Sequence, residues 1–183
     1  MNTFSQFLES HEPKGQAISF VKLVTMASRY GALPDTPALN LLANTVQQHS
    51  YVVFRGLSFT NLDAETRDAL SALEKGSPVP DTFLYPNGAQ VVIHATKDAS
   101  VAEGYASHGV AGLVMMVAVR DHDVIADTTN LDSVLREEDI SADDWEYFSK
   151  AQELLIRREA LFTDTQVVSL RIDHDPITEL PEG

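Results

Sequence analysis

The amino-acid sequence predicts a single α+β domain in which a helical N-terminal part precedes a sheet-forming core. Apolar residues recur at helical spacing in residues 1–50. Compact apolar runs typical of strands begin at Tyr51, with glycine, proline and aspartate between them. The chain has 183 residues, 44% of them hydrophobic, which is enough for one sizeable core and too few for two comfortable domains. We therefore predict one domain over residues 1–183.

Three helices are predicted in residues 1–50. A short amphipathic stretch covers Phe4 to Ser10, and apolar residues on one face predict a longer helix from Ala17 to Tyr30. Gly31 ends the second helix. Thr36 caps the third, which has Pro37 at its first position.

The core is predicted over residues 51–172, followed by an irregular tail over residues 173–183. Its expected strands are Tyr51–Phe54, Gln90–His94, Gly112–Val119, Val124–Ala126, Glu153–Ile156 and Val167–Ile172. The continuous apolar run from Gly112 to Val119 is typical of a strand buried on both faces.

Helices and loops are predicted between these strands. A helix from Asp63 to Leu73 is entered through Asn61 or Asp63, and a second helix is capped by Asp98 and ends at Ala106. Turn formers predict a loop over residues 76–88. An acidic helical insert is expected from Asn130 to Lys150.

Charge and composition restrict the function classes. A net charge of -14 argues against nucleic-acid binding through a broad basic surface. The sequence has no apolar run of about 18 residues, so no membrane partner is expected. The absence of cysteine excludes disulfides, and residues 1–15 lack the apolar region of a secretory signal. A cytoplasmic location is therefore predicted.

Residues able to carry chemistry stand at the ends of three predicted strands. Arg55 comes directly after the first apolar strand and is followed by Gly56. His94 and Thr96 end the second strand and lead into a helix. Glu153 begins a late apolar strand. The site prediction depends on the order of these three pieces, because each is common when taken alone.

This order resembles the mono-ADP-ribosyltransferases of the Arg–Ser–Glu class, especially their small phage-encoded and bacterial intracellular toxin members. The family has an arginine and a glycine at a strand end, a Ser-Thr-Ser-like strand end before a D-x-x-x-A-x-x-[FY]-A helix, and a late Glu-x-Glu. The matching segments are YVVFRGL (Tyr51–Leu57), VVIHATKDASVAEGYA (Val91–Ala106) and AQELLI (Ala151–Ile156). The resemblance implies an ADP-ribosyltransferase-like core with a mixed β-sheet.

The resemblance also implies an activity and a setting. It implies an enzyme that takes NAD as substrate, cleaves the nicotinamide–ribose bond and transfers ADP-ribose to a macromolecular acceptor, either protein or RNA. Related small members act as effectors or toxins in the bacterial or host-cell cytosol. An antitoxin or inhibitor is a partner compatible with that setting.

Physical chemistry gives each matched residue a role in this reaction. Cleavage of the glycosidic bond builds oxocarbenium-like charge on the ribose, which the carboxylate of Glu153 can stabilise. The planar guanidinium of Arg55 suits a pyrophosphate. His94 and Thr96 are expected to orient the ribose and the carboxylate, and Gly56 is expected to let the nucleotide approach the backbone.

Tyr105 has two interpretations. It shares a predicted helix face with Val101 and Ala102, so packing in the core is the stronger expectation. Stacking on the nicotinamide ring, which would make it a cofactor-binding residue, is the alternative.

Two departures from the family pattern leave the acceptor open. Ala151 occupies the position of the earlier acid of Glu-x-Glu, which supports transfer to arginine in the family. His94 replaces the first serine, and an imidazole can donate, accept or titrate near neutral pH. Transfer to another acceptor, hydrolysis of NAD by water and loss of activity therefore stay open.

Two other interpretations start from features of the sequence. The Asp-His-Asp triplets around His122 and His174 suggest a metal site, but neighbours in an extended chain point to opposite sides, so no metal is predicted. A non-enzymatic protein that acts through its acidic surface, as an inhibitor or a phosphate mimic, is the remaining alternative.

Overall fold

The computed structural model describes residues 37–84, 91–133, 142, 145–146, 152–162 and 164–173. The helices predicted over Phe4–Ser10 and Ala17–Tyr30 lie outside these residues. Most of the predicted acidic insert, the end of the loop after residue 84 and the tail after Asp173 lie outside them as well.

The described chain contains both predicted kinds of element. Its α-helices are α1 (Pro37–Ala43), α2 (Ala64–Ser71), α3 (Asp81–Leu84) and α4 (Ala99–Ala106). Its strands are β1 (Ser50–Phe59), β2 (Val92–Thr96), β3 (Ala111–Arg120), β4 (Val124–Asp127), β5 (Glu153–Arg157) and β6 (Thr165–Ile172). Short 3-10 segments cover Asp121–Asp123, Thr128–Ser133 and Arg158–Phe162. The α+β class is therefore confirmed.

The strands form one six-stranded sheet with the order β4-β5-β2-β1-β3-β6. Every pairing between these strands is antiparallel, in contrast to the mixed sheet that was expected. All six predicted strand positions are confirmed, although several bounds move by one or two residues and the end of the first strand moves by five.

The first strand differs most from its prediction. β1 runs to Phe59 instead of ending before Arg55. Side chains of a strand alternate between its two faces, and Tyr51, Val53 and Leu57 continue one buried face past Arg55. Arg55 therefore lies inside the strand, and the prediction that it follows the strand end was wrong.

The sheet consists of two halves joined at a narrow seam. β1 pairs with β3 along its whole length, from Ser50 opposite Arg120 to Phe59 opposite Ala111. Between β1 and β2 the register contains one pair, Phe54 with Thr96. We call β1, β3 and β6 the long half, and β4, β5 and β2 the short half. Beyond the seam the two halves separate.

The main core lies on one face of the sheet. It joins both halves to α2 and α3, and its fully buried members include Val53, Leu70, Leu113, Met115, Leu154 and Ile156. Helix α4 covers the other face of the long half, where Ala102 and Ala106 pack with Val114. The two faces thus have separate apolar clusters.

Glycines allow α4 to approach the sheet closely. A Cβ added at Gly56 would lie 2.0 Å from the carbonyl oxygen of Ala102, and one at Gly112 would lie 2.0 Å from that of Ala106. Any side chain at either position would push the helix away. The two glycines therefore fix the position of α4 over β1 and β3.

Two helix starts agree with their sequence signals. Asp63 caps α2, because its Oδ1 accepts a 2.7 Å hydrogen bond from the backbone N–H of Thr66. Asp98 caps α4 in the same way through the N–H of Ser100 at 2.8 Å.

The predicted loop over residues 76–88 instead contains the short helix α3, which buries Phe83. Within the described ranges, no helix has both the length and the apolar composition needed to cross a bilayer.

Candidate active site

A cleft of about 570 Å³ opens where the two halves of the sheet separate. One wall is the end of β1 with the residues after it, and the other is formed by β2 and the start of β5. The cleft is lined by Phe54, Arg55, Gly56, Leu57, Ser58, Phe59, Thr60, Asn61, His94, Ala95, Thr96, Ala102, Tyr105 and Glu153. All six residues singled out in the sequence thus border one cleft.

Glu153 lies at the inner end of this cleft. Its side chain is only 5% exposed, and its Oε2 lies 2.9 Å from Nδ1 of His94 on the neighbouring strand. Its backbone carbonyl accepts a 2.7 Å hydrogen bond from the hydroxyl of Thr128. The carboxylate is therefore held both through its side chain and through its backbone.

The residue before Glu153 has an unusual backbone conformation. Gln152 has φ of 46°, the one non-glycine residue with positive φ in the described chain. This left-handed region costs a residue with a Cβ about 1–2 kcal/mol. Such strain persists only where the surroundings impose it, and it is concentrated at functional sites. It turns the chain directly into β5, where Glu153 is the first residue.

Thr96 connects the carboxylate to the seam. It lies opposite Phe54 of β1 on one side and opposite Glu153 of β5 on the other. Its side chain is buried, and its hydroxyl oxygen accepts a 3.1 Å hydrogen bond from the backbone N–H of Asp98. This hydrogen bond stabilises the turn between β2 and α4. Thr96 therefore positions the chain as well as bordering the cleft.

Arg55 borders the cleft from within β1. Strand alternation places its side chain on the main-core face, opposite to the face shared by Phe54 and Gly56. There Nη1 donates a 3.4 Å hydrogen bond to the backbone carbonyl of Leu84 in α3. The structure therefore brings Arg55 to the rim of the cleft with its guanidinium turned towards α3.

Gly56 and Tyr105 have surroundings different from those expected. The close approach at Gly56 is that of α4, as the position of Ala102 shows, so the need for glycine there comes from helix packing. Tyr105 is 52% exposed on the wall of the cleft, and the expectation that it packs in the core was wrong. Tyr105 lies near the end of α4, which is buried on one side only, and it borders the cleft.

A buried polar network beneath the site was missed in the sequence. Asp127 is completely buried, and its Oδ2 lies 2.7 Å from Nζ of Lys97. Its carboxylate also accepts hydrogen bonds from Thr129 and Asn130, and its backbone N–H donates to the hydroxyl of Thr45. The network connects the segment after Thr96 to the end of β4 and to Thr45, which follows α1. An aspartate ending an apolar strand was its only sequence signal.

Further lining residues come from the unexpected extension of β1 and from the two residues that follow it. Ser58, Thr60 and Asn61 supply hydroxyl and amide groups to the wall opposite His94. Their signal was the alternation that continues through Leu57 and Phe59, which shows that the strand does not end at Gly56. Amide and hydroxyl groups of this kind suit a ligand rich in hydrogen-bonding groups.

Asp98, the N-cap of α4, has a carboxyl group with a lowered pKa. Hydrogen bonds from the side chain and then the backbone of Ser100 hold the pKa of Asp98 below its usual value. Because these donors stabilise the ionised form, Asp98 carries a full negative charge at the start of α4, where the helix dipole favours it.

The Asp-His-Asp triplet around His122 is not extended as the sequence argument assumed. Asp121 to Asp123 form a 3-10 segment, and His122 contacts both neighbours, at 3.6 Å and 3.4 Å. The second triplet, around His174, is only partly within the described residues. No group of three or more histidine, aspartate or glutamate side chains in the described part of the chain is arranged to hold a metal ion.

No protein-family model, curated protein sequence or solved structure matches this chain. The geometry of the cleft and the sequence resemblance are therefore the grounds for a functional proposal.

Proposed function

We propose that this chain is an NAD-dependent mono-ADP-ribosyltransferase that cleaves the nicotinamide–ribose bond and transfers ADP-ribose to a macromolecular acceptor. The observation that carries the proposal is the pair of His94 and Glu153, 2.9 Å apart in a cleft that Arg55 and Tyr105 also border. The resemblance in sequence order supports it. The proposed fold is an ADP-ribosyltransferase-like core.

Glu153 is suited to the first step of this reaction. Nicotinamide leaves with the electron pair of the glycosidic bond, and the ribose gains oxocarbenium-like charge. A carboxylate that is 5% exposed acts across a medium of low polarity, where its charge stabilises the developing cation more than in water. Fixed hydrogen bonds also mean that little reorganisation is needed during the reaction.

The cleft is suited to the size and polarity of a dinucleotide. Its volume of about 570 Å³ falls within the range of small-molecule and cofactor sites. Tyr105, half exposed on the wall, offers an aromatic face on which the nicotinamide ring can stack. Arg55 would bind the pyrophosphate after exchanging its 3.4 Å hydrogen bond to Leu84 for phosphate oxygens.

Labelled NAD tests the proposal. The protein is incubated with NAD carrying label in the adenylate part, alone and with cell lysate, and free nicotinamide and labelled macromolecules are measured. Glu153→Gln keeps the size of the side chain and removes its charge. We expect it to lower nicotinamide release by about 10²–10³-fold, as the loss of one preorganised electrostatic group does elsewhere.

Glu159→Gln is the matched control, because the side chain of Glu159 is 65% exposed and lies outside the cleft. It should leave release unchanged. Nicotinamide release without labelled macromolecules would indicate an NAD glycohydrolase. Absence of both NAD binding and turnover would overturn the proposal and favour an interaction protein that acts through its acidic surface.

The setting of the reaction is proposed from the resemblance alone. An intracellular effector or toxin of a phage or bacterium fits the small single domain. A macromolecule that becomes labelled in lysate would name the acceptor, and its protein or RNA nature follows from its sensitivity to protease or ribonuclease.

A further inference from the structure

The acceptor side of the proposed reaction lacks an obvious base in the sequence. In the family pattern the earlier acid of Glu-x-Glu supports the acceptor, and Ala151 stands there in this chain. Alanine can neither attract a cation nor take a proton. If the chain transfers ADP-ribose, another group must take the proton of the attacking nucleophile.

His94 is the side chain placed to do this. It shares the cleft with Glu153, and 47% of its side chain is exposed against 5% of the glutamate. Its Nδ1 is engaged with Oε2 of Glu153 at 2.9 Å. Its Nε2 has no hydrogen-bond or ion-pair partner among the residues that the structure describes. The ring therefore connects the buried carboxylate to the open part of the cleft.

The contact with Glu153 also determines which ring nitrogen can act as a base. When the carboxylate is ionised and the imidazole is neutral, the carboxylate can only accept in this contact, so the imidazole proton must lie on Nδ1. Nε2 then carries the lone pair. A carboxylate that orients an imidazole in this tautomer is the arrangement by which histidine serves as a general base in hydrolytic enzymes.

We infer that His94 is the general base of the acceptor step and that the acceptor is a neutral hydroxyl group. This inference rests on the proposed function. A hydroxyl needs to lose its proton as it attacks, and a neutral imidazole can take that proton. An arginine side chain is a permanent cation, and an imidazole is far too weak a base to take a proton from it.

Transfer of ADP-ribose to the hydroxyl group conserves atoms and charge. The bond between ribose C1′ and the nicotinamide nitrogen breaks, and its electron pair neutralises the pyridinium. The hydroxyl oxygen forms a new bond to C1′, and its proton passes to Nε2 of His94. The imidazolium, stabilised by Glu153 at Nδ1, then releases the proton to solvent. The products are nicotinamide, the ADP-ribosylated hydroxyl and one proton.

Two substitutions separate the basic role from a positioning role. His94→Asn keeps a donor that can reach Oε2 of Glu153 but has no nitrogen lone pair to serve as a base. His94→Ala removes both and leaves space for free imidazole. Ionisable side chains that border the cleft with His94 are Arg55, Tyr105 and Glu153, and they are unchanged in both variants.

The probes are NAD with methanol, a small hydroxyl acceptor, and NAD with agmatine, a small guanidinium acceptor. The wild-type protein should form methyl ADP-ribose or free ADP-ribose, depending on whether methanol or water reaches the cleft, and no agmatine adduct. His94→Asn should lower the rate of these products by about 10²-fold or more with NAD affinity retained. Added imidazole should restore much of the activity of His94→Ala.

The matched control is His122→Asn, since His122 is 65% exposed and lies outside the cleft. It should behave as wild type with both acceptors. The inference is overturned if His94→Asn keeps most of the wild-type rate, if imidazole does not rescue His94→Ala, or if agmatine is the preferred acceptor. If the wild-type protein neither binds NAD nor releases nicotinamide, even with cell lysate present, the proposed function itself fails. The two failures are therefore distinguishable.

Discussion

The two halves of the sheet differ in what they bury. The long half has strands of eight to ten residues in extended register, and its central residues Val53, Leu113 and Val117 are apolar and fully buried. The short half has strands of four or five residues. It and the segment after β4 hold most of the buried polar side chains, namely Thr96, Asp127, Thr128 and Glu153.

Because of this difference, the long half mainly stabilises the fold, whereas the short half holds the polar side chains of the candidate site. Apolar burial contributes about 25 cal/mol per Å² and needs no directed hydrogen bonds, so the long half provides a stable support. Buried polar groups are stable only when each one has its partners. The short half meets this requirement with directed hydrogen bonds, and it thereby holds Glu153 in one orientation at the seam.

The largest expected effect is on the packing of α4 against the long half. Gly56→Ala places a Cβ 2.0 Å from the backbone oxygen of Ala102, so the helix must move. We expect a loss of about 3 kcal/mol in the free energy of unfolding, measured by urea titration. The matched control is Gly104→Ala in α4, where nothing lies within 4 Å and alanine should add about 0.5–1 kcal/mol. Equal effects of the two substitutions would contradict this account.

The next effect concerns the polar network of the short half. Lys97→Met keeps the aliphatic stem and removes the ammonium that lies 2.7 Å from Oδ2 of buried Asp127. An unpaired buried carboxylate is costly, but Asp127 keeps its bonds to Thr129 and Asn130, and Lys97 is itself 32% exposed. We expect a loss of about 2 kcal/mol in unfolding free energy.

A double-mutant cycle shows whether that loss comes from the pair. Adding Asp127→Asn to Lys97→Met removes the charge that was left unpaired, so the double variant should recover part of the stability lost by Lys97→Met. Simple additivity of the two single changes would show that Lys97 acts through its other contacts, including the ring of Tyr51 at 5.2 Å.

Much of the fold could be predicted from local patterns. The run from Gly112 to Val119 predicts a buried strand, because apolar residues without alternation fit a strand covered on both faces. Asp63 and Asp98 mark helix starts, because their side chains satisfy backbone N–H groups that the helix leaves open. Each of these signals is local in the chain. The strand and both caps are confirmed, but Met116 is only partly buried and Ala118 is exposed, so burial on both faces holds for the first part of the strand.

The arrangement of the site depends on contacts that local patterns do not contain. His94 and Glu153 meet across 59 residues of sequence. The seam at Phe54 and Thr96 follows from how far β1 pairs with β2, and the turned guanidinium of Arg55 follows from where β1 ends. Strand order and register are settled by packing of the whole sheet, so a list of strands does not determine them.

The strained residue before Glu153 offers a smaller test of the short half. Gln152→Gly removes the Cβ that opposes a φ of 46°. We expect unfolding free energy to rise by about 0.5–1 kcal/mol, because the relief of strain exceeds the entropy that glycine adds to the unfolded chain. Gln166→Gly, in strand β6, is the control and should lower stability by about 0.5–1 kcal/mol. A loss of stability at both sites would show that Gln152 is held by contacts stronger than the strain.

The smallest expected effect is an acid dependence of α4, the helix that joins the long half to the wall of the cleft. Hydrogen bonds from Ser100 hold the pKa of Asp98 below its usual value, so the ionised cap favours the folded state. Its contribution is complete above the unfolded-state pKa of about 3.9 and is lost as the pH falls through the lower folded-state value. Asp98→Asn keeps an accepting oxygen but does not titrate. Asp63 and Asp121 also have lowered pKa values, and they are present in both the wild-type protein and Asp98→Asn. The difference between the urea midpoints of these two proteins therefore isolates the effect of Asp98. Between pH 5 and pH 3 the wild-type midpoint should fall slightly more than that of Asp98→Asn, and parallel curves would show that the α4 cap does not depend on this charge.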